Sequence, residues 1–307
     1  MNITTWNING IRASFKKGFW QNLPQSDIFC LQEIKADQLT MQGMYQKYQS
    51  EVFENNFEWS WFSAQKKGYS GVMMGLSSDF ANQKLKSYSW DKGLGIDKFD
   101  FEGRVLTLKM ELNSGQKIAI VNAYYPQGGR GQERIDYKLE FYLELKNMGL
   151  KLREQGFKLI FSGDFNTTVW DIDLARAKEN RKTTGCLPEE RLALGYLLEY
   201  PAEVLSWYQS KNMLDTNYQA SPNFYSQLPK PSEQDLNLVD GFRYFYPDLK
   251  DKYTYWDQIT RARERNVGWR IDYLLFDSAL LPSLKSVDIK DQVMGSDHCP
   301  VVAKIED

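Results

Sequence analysis

Histidine is almost missing from this chain: 307 residues contain one, His298. That leaves few routes to zinc chemistry or to acid–base work by paired imidazoles. Cysteine is scarce as well. Cys30, Cys186 and Cys299 are odd in number and widely spaced, which matches neither a disulfide framework nor a zinc-finger spacing. A reducing, cytoplasmic setting is the expectation. No run of 18 apolar residues occurs, so no membrane partner is expected. The start, MNITTWN, lacks the basic and apolar regions of a signal peptide. Charge of one sign is lacking too. A net charge of −2 and a pI near 5.7 exclude a global field for nucleic acid, so any such contact must come from local basic patches.

What is present suffices for a sizeable core: 42% of residues are hydrophobic and 14% aromatic. The length suits one large domain, and no linker divides it, so residues 1–307 read as a single catalytic unit. A surface insertion is expected around 201–235, where Gln219–Asp235 is rich in Pro, Ser, Asn and Gln. Alternation and short apolar runs predict strands at Ile3–Trp6, Asp27–Gln32, Trp59–Ala64, Gly71–Leu76, Arg104–Leu112 and Lys117–Ala123. Further strands are predicted at Phe157–Phe161, Ile271–Phe276 and Val301–Ile305. Helices are predicted at Ile11–Leu23, Glu133–Glu154 and Pro188–Leu198, the last with proline in its first turn. Strands dominate without strict alternation with helices, which suggests two packed sheets with helices outside. Asn7, Glu33, Asp164 and Asp297 each fall at or just beyond a strand end, and Asp272 within the first residues of one. Strand ends can gather distant side chains around one pocket on a rigid frame.

These polar residues suit a hard cation and a phosphate ester. Magnesium needs only one or two carboxylates; Glu33 is the leading ligand candidate, with Asn7 as a neutral oxygen partner. Taken alone, Glu33 is a solvated charge beside Lys35 and Asn7 a turn residue. Asp297-His298 carries more weight. An imidazole beside a second carboxylate, for which Asp272 is the candidate, can stay protonated near neutral pH and donate to a phosphoryl oxygen. A lone histidine capping a loop before Pro300 is the plain alternative. Gly163-Asp164-Phe165-Asn166 follows an apolar strand. If both polar side chains enter one pocket, Asp164 can orient or deprotonate a water that Asn166 holds; otherwise the tetrapeptide is a turn. Two basic stretches stand out, Arg176–Lys182 and Gln258–Arg270, the second accompanied by Tyr253, Tyr255, Trp256 and Trp269. Arginine with interleaved aromatics suits a phosphate backbone and an unstacked nucleotide. Lys178, Asn180 and Arg270 are candidate DNA contacts on that basis, against a merely solvated face.

Eight strings in order carry a resemblance: Trp6-Asn7-Ile8-Asn9-Gly10-Ile11-Arg12-Ala13, Leu31-Gln32-Glu33-Ile34-Lys35, Lys67-Gly68-Tyr69-Ser70-Gly71-Val72, Glu102-Gly103-Arg104-Val105, Asn122-Ala123-Tyr124-Tyr125-Pro126, Gly163-Asp164-Phe165-Asn166, Asn266-Val267-Gly268-Trp269-Arg270-Ile271-Asp272-Tyr273 and Gly295-Ser296-Asp297-His298-Cys299-Pro300. The chain resembles the exonuclease III family of apurinic/apyrimidinic endonucleases, within the endonuclease/exonuclease/phosphatase superfamily. The resemblance implies an α/β fold, a four-layer α/β sandwich of two mixed sheets packed face to face and flanked by helices. It implies a Mg²⁺- or Mn²⁺-dependent phosphodiesterase that cuts duplex DNA 5′ to an abasic site and leaves a 3′-hydroxyl. Activities of 3′→5′ exonuclease, 3′-phosphatase and 3′-phosphodiesterase on blocked 3′ ends go with it, and a monomer is expected.

Position by position, the resemblance makes Glu33 the principal metal ligand, with Asn7 and Asp297 near the metal or its waters. Asp164 orients or activates the water and Asn166 assists. Tyr124 contacts the scissile phosphate, as does His298 braced by Asp272. Arg130 corresponds to a DNA-probing arginine. Tyr255, Trp269 and Ile271 correspond to an apolar pocket for a flipped-out abasic sugar, an extrusion made easy by the missing base. Three positions depart from the pattern: Gln127 for a usual Asn, Val169 for a frequent His and Cys186 for a usual aromatic. With the 201–235 insertion, they motivate an alternative reading, a member specialised for 3′-end processing with weak abasic incision. An inactive DNA-binding scaffold is the reading from another class, but no polar residue of the set is missing.

Overall fold

The computed structural model describes residues 1–18, 21, 23–48, 56–199 and 235–306. The expected insertion at 201–235 therefore lies, but for Asp235, outside the described residues.

Among the described residues, twelve strands make two sheets of six. The first has the order β11-β12-β1-β2-β4-β3, from Leu284–Ile289 (β11), Val301–Ile305 (β12), Asn2–Asn7 (β1), Ile28–Gln32 (β2), Val72–Ser77 (β4) and Phe57–Phe62 (β3). The second has the order β5-β6-β7-β8-β10-β9, from Leu85–Lys92 (β5), Val105–Leu112 (β6), Lys117–Tyr124 (β7), Lys158–Asp164 (β8), Asp272–Phe276 (β10) and Val239–Asp240 (β9). The β1–β2 and β7–β8 pairs are parallel and the others antiparallel, so both sheets are mixed.

Alternation explains the layers. Along a strand successive side chains point to opposite faces. Ile28, Cys30, Val72, Met74, Leu106, Leu108, Ile118, Ile120, Ile160 and Leu274 all enter one apolar core between the sheets. Their neighbours Phe29, Leu31 and Met73 face outward and pack under helices α1 (Ile11–Lys16) and α2 (Gln38–Lys47). Ala119, Val121, Leu159, Phe161 and Leu275 face outward from the second sheet, under α5 (Gln132–Glu154) and α6 (Pro188–Gly195). Helix, sheet, sheet, helix is the sandwich the resemblance implied. Short helices α3 (Ser78–Lys84), α4 (Asp97–Asp100) and α7 (Gly241–Phe245) close the corners.

Several boundaries differ from the predicted ones. α1 stops at Lys16 rather than Leu23, because the chain turns at Gly18 with φ of 68°. α6 ends at Gly195, not Leu198. β5 was not predicted: it is an exposed edge strand and has no alternating apolar face to reveal it. α2, with Asp37 capping the Thr40 N–H at 2.7 Å, is too polar to show periodicity. No helix among the described residues is long and apolar enough to cross a membrane, and all three cysteines are free and buried.

Candidate active site

The site forms where the inner layer runs out. One row of side chains crosses the end of the second sheet, because Tyr124 pairs with Asp164 and Asp164 with Asp272 in register. Gly163 brings β8 close to β7. Its φ is 139°, and a Cβ there would lie 1.9 Å from the Ala123 carbonyl oxygen, so only glycine permits this approach. From the first sheet come Asn7, at the end of β1, and Glu33, just past β2. Glu33 is left-handed, φ 53°, and its neighbours hold it so: its carbonyl accepts from Gly10 N at 2.7 Å, and Ile34 N and Lys35 N donate to Gly71 and Ser70. Asn9, Lys35 and Asn166 are left-handed as well. Such strain for glutamate and lysine gathers at sites where the surrounding structure over-determines it.

His298 is fixed from three sides. Its carbonyl accepts the Trp6 indole N–H at 3.1 Å, and its own N–H donates to Ser296 Oγ at 3.2 Å. The Ser296 hydroxyl donates in turn to the Asn7 carbonyl at 2.8 Å. The ring lies 4.9 Å from that of Tyr255. Nδ1 is 2.8 Å from Asp272 Oδ2, while Nε2 points to Asp164, 3.9 Å away. Thr254 Oγ1 braces the other side of Asp272 by accepting the Ile271 and Asp272 N–H groups, each at 3.1 Å. Asp272 Oδ1 is buried and has no hydrogen-bond partner.

Burial by itself would strip the imidazole of its proton. The hydrogen bond and charge of Asp272, joined by Asp164, outweigh it and raise the His298 pKa to about 10. The ring is an imidazolium at neutral pH. Asp164 moves upward for a different reason. It is desolvated, and the charge of Asp272 repels its own. Asn7 Nδ2 donates to Asp164 Oδ2 at 2.8 Å and Asn166 N to Oδ1 at 2.8 Å, which orients both oxygens. Tyr124 is held strongly protonated by burial and by Glu33, to whose carboxylate its hydroxyl donates. It is therefore a neutral hydrogen-bond donor inside the cleft.

Two arrangements could hold a cation. Glu33 and Asp297 present carboxylates, and Asn7 and Asn9 amide oxygens, a donor set of the hard type that Mg²⁺ and Mn²⁺ prefer. Asn9 joins this set: its amide donates to both Asp297 oxygens at 2.9 Å, and its oxygen accepts from Lys35. The Lys35 ammonium stands 2.6 Å from Glu33, so the carboxylate already attracts a positive charge at that place. Secondly, ligand atoms of Asp164, Asp272 and His298 lie within 4.8 Å of one another. A protonated imidazole has no lone pair for a metal and already offsets one of the two carboxylates. The Glu33 side is the better fit for a divalent ion.

Asn7, Glu33, Tyr124, Asp164, Asn166, Asp272, Asp297 and His298 thus meet in one cleft, as the sequence led one to expect. Arg130 and Lys178 are exposed, and Asn180 is half-buried with its amide on the Arg176 carbonyl at 2.8 Å. Tyr255 and Trp269 are half-buried and bridged to each other, and Ile271 is buried beside them. Arg270 is a correction. It is 1% exposed and clamped by Asp173 and Asp240, so its guanidinium does not face a DNA strand. Its position in a run of arginines concealed that inward turn. Arg263 of the same run is also spent internally. It stacks on Trp256 and donates to the carbonyls of Asp291, Val293 and Ser296, which pins the loop ahead of Asp297.

Sequence reading overlooked Asn9 and Arg104 as site residues. Arg104 lies 4.8 Å from the Tyr124 ring centre and donates to the Tyr124 carbonyl and the Tyr69 hydroxyl. Their strings were visible, but only the fold shows what they touch. Val169, read as a lost histidine, is buried in the apolar layer under the helices. Cys186 is buried too and accepts from Arg191.

A family model described as Endonuclease/Exonuclease/phosphatase family matches residues 4–298. The chain is 33% identical over 304 residues to the exodeoxyribonuclease of Bacillus subtilis, covering 98% of each. It is 33% identical to the DNA repair nuclease APEX1 of Danio rerio over 98% of this chain and 81% of that one. Among solved structures, the AP endonuclease of Leishmania major superposes with a TM-score of 0.78 at 25% identity, covering 100% of this chain and 87% of that one. The chain belongs to the endonuclease/exonuclease/phosphatase family. Within it, these likenesses bear out the resemblance to the exonuclease III type of apurinic/apyrimidinic endonuclease, a class of DNA repair nuclease.

Proposed function

We propose that this protein hydrolyses the phosphodiester 5′ to an abasic site in duplex DNA, acting as a monomer with Mg²⁺ or Mn²⁺. The observation that carries this reading is the buried row of Asp164, Asp272 and His298, joined through Tyr124 to Glu33. The row supplies one proton acceptor and two phosphate-facing donors. Asp164 is the base: its raised pKa keeps it basic enough to take a proton from water near neutral pH. Asn166 holds that water against it. As the water oxygen bonds to phosphorus, the P–O3′ bond breaks, and O3′ leaves and takes a proton from solvent to become a 3′-hydroxyl, while Asp164 returns its proton to solvent. Charge builds on the non-bridging oxygens, where His298 Nε2–H donates, joined by the Tyr124 hydroxyl once it turns away from Glu33. Asp272 keeps the imidazole charged and aimed. A bound divalent cation, held by Glu33 with Asn7 and Asp297, would supply Lewis-acid stabilisation of the phosphate and leaving oxygen.

The half-buried Tyr255, whose ring lies 4.9 Å from that of His298, Trp269, bridged to it through the backbone, and the buried Ile271 would line an apolar slot for a sugar without its base. Arg130 and Lys178, both exposed, would meet phosphates of the bound strand. The same site would remove 3′-phosphates, 3′-phosphodiesters and, more slowly, 3′-nucleotides, because each presents one phosphate to the same row. Incubation with a duplex carrying one tetrahydrofuran abasic analogue tests this. Incision that leaves a 3′-hydroxyl, stops with EDTA and returns with Mg²⁺ is expected. No incision with any divalent metal sinks the reading. Faster release from a 3′-phosphate nick than from an internal site would favour the end-processing alternative.

A further inference from the structure

We propose that the buried pair Lys138–Glu190 is a positioning pair, which sets Asn166 against Asp164 and ties the Arg130 loop to the same point. This rests on the reading of Asp164 as the base. Lys138 projects from α5 and Glu190 from α6, and both side chains are 0% exposed, 2.8 Å apart. Stability alone does not explain such a pair, since apolar residues of similar volume often serve as well or better there. What the two side chains touch does explain it. The Lys138 ammonium donates to the Asn166 carbonyl at 2.7 Å. Asn166 is left-handed, φ 50°, and a clamp on its carbonyl holds that peptide in place. On the other side of the same Cα, the Asn166 N–H donates to Asp164 Oδ1, and the side-chain amide donates to the Tyr125 carbonyl at 2.9 Å, so a residue anchored at its carbonyl is held against the base. One hydrogen-bonded step thus separates Lys138 from the groups around the base.

Glu190 reaches the other way. Its Oε1 accepts the Thr184 hydroxyl at 2.7 Å, and its Oε2 accepts the N–H groups of Gly185 and Leu187. Thr184 Oγ1 accepts the Gly128 N–H at 3.1 Å. Gly128 has no space for a side chain there: a Cβ would sit 2.3 Å from Thr184 Oγ1 and 3.1 Å from Glu190 Oε1. Two residues on is Arg130. A single buried pair therefore links the loop at the DNA rim to the residue that holds the water.

The test uses the full chain with Mg²⁺ and the tetrahydrofuran duplex. The variants are Lys138→Met, Lys138→Arg and the double variant Lys138→Met/Glu190→Gln, which leaves no unpaired buried charge. Melting curves establish folding. The double variant is expected to fold and to lose about 10- to 100-fold in kcat with KM within about threefold. Lys138→Arg should restore most of the rate. A folded double variant with kcat within about threefold of wild type overturns the proposal. So does an equal loss in all three variants. If wild type fails to cut, or Asp164→Asn cuts normally, the reading of the site has failed, and the role of the pair with it.

Discussion

Arg270 and Asp272 are two residues apart at the start of one strand, and each is 1% exposed. Arg270 enters a quartet with Arg243, Asp173 and Asp240, in which two guanidiniums meet two carboxylates. Charges cancel there. Burial works against the Asp173 charge, but Arg270 and Arg243 prevail and hold its carboxyl below the usual range. Asp272 enters a cluster in which two carboxylates share one imidazolium. Charge does not cancel, Asp164 is driven upward, and one Asp272 oxygen is left without a hydrogen bond. Burial is equal in the two, so burial does not distinguish scaffold from chemistry. Incomplete compensation does: a settled network holds the loops, and an unsettled one keeps a proton acceptor and a donor ready for a substrate.

That contrast can be broken experimentally. The largest effect is expected on the unsettled side. Asp164→Asn and His298→Ala should each lower kcat by about 10³-fold or more while DNA binding and melting temperature change little. A near-normal rate in either variant removes the assigned role. On the settled side, Arg270→Met leaves two buried carboxylates short of a partner, and a loss of about 3–5 kcal/mol in urea unfolding is expected. Activity per folded molecule should stay within a few-fold; a kcat collapse in a folded variant would give Arg270 a role in the chemistry after all.

The pH profile sharpens the same comparison. Asp164 must be ionised to accept a proton, so the rate should rise as pH climbs through about 7. His298 must keep its proton to donate, so the rate should fall as pH passes about 10. A profile flat from pH 5 to 8 would exclude Asp164 as the titrating base. Asp272→Asn should bring the alkaline limb down, because the charge that holds the imidazolium is gone. The smallest effect belongs to the rim of the slot. Trp269→Ala should raise KM for an abasic duplex by roughly 3- to 30-fold, in line with about 1–2 kcal/mol of aromatic packing, and leave kcat nearly unchanged.

Much of this cleft was legible before any coordinates. Asn7, Glu33 and Asp164 stand where apolar runs end, and an apolar run that ends on a polar side chain delivers it to a strand end; His298 was legible as the one histidine, beside a carboxylate and ahead of the last strand. The buried strands were legible for the same reason. β5 was not, because it packs on few apolar neighbours and offers no alternation. Arg270 was misread because composition reports that arginines are close in sequence and not which way each one turns; Asp173 and Asp240, its partners, lie 97 and 30 residues away. Lys138 and Glu190 were invisible for a similar reason. Each sits among ordinary helix-forming charges, and only the packing of α5 against α6 shows that neither meets water.

The pairing of β1 with β12 sets an order in time. β1 lies between β2 and β12, and the segment that carries Asp297 and His298 leads directly into β12. β1 has β2 on one side and gains its second partner only when β12 pairs with it. Until that pairing forms, the imidazole has no frame to hold it, so the site is completed by a contact between segments 292 residues apart in the sequence.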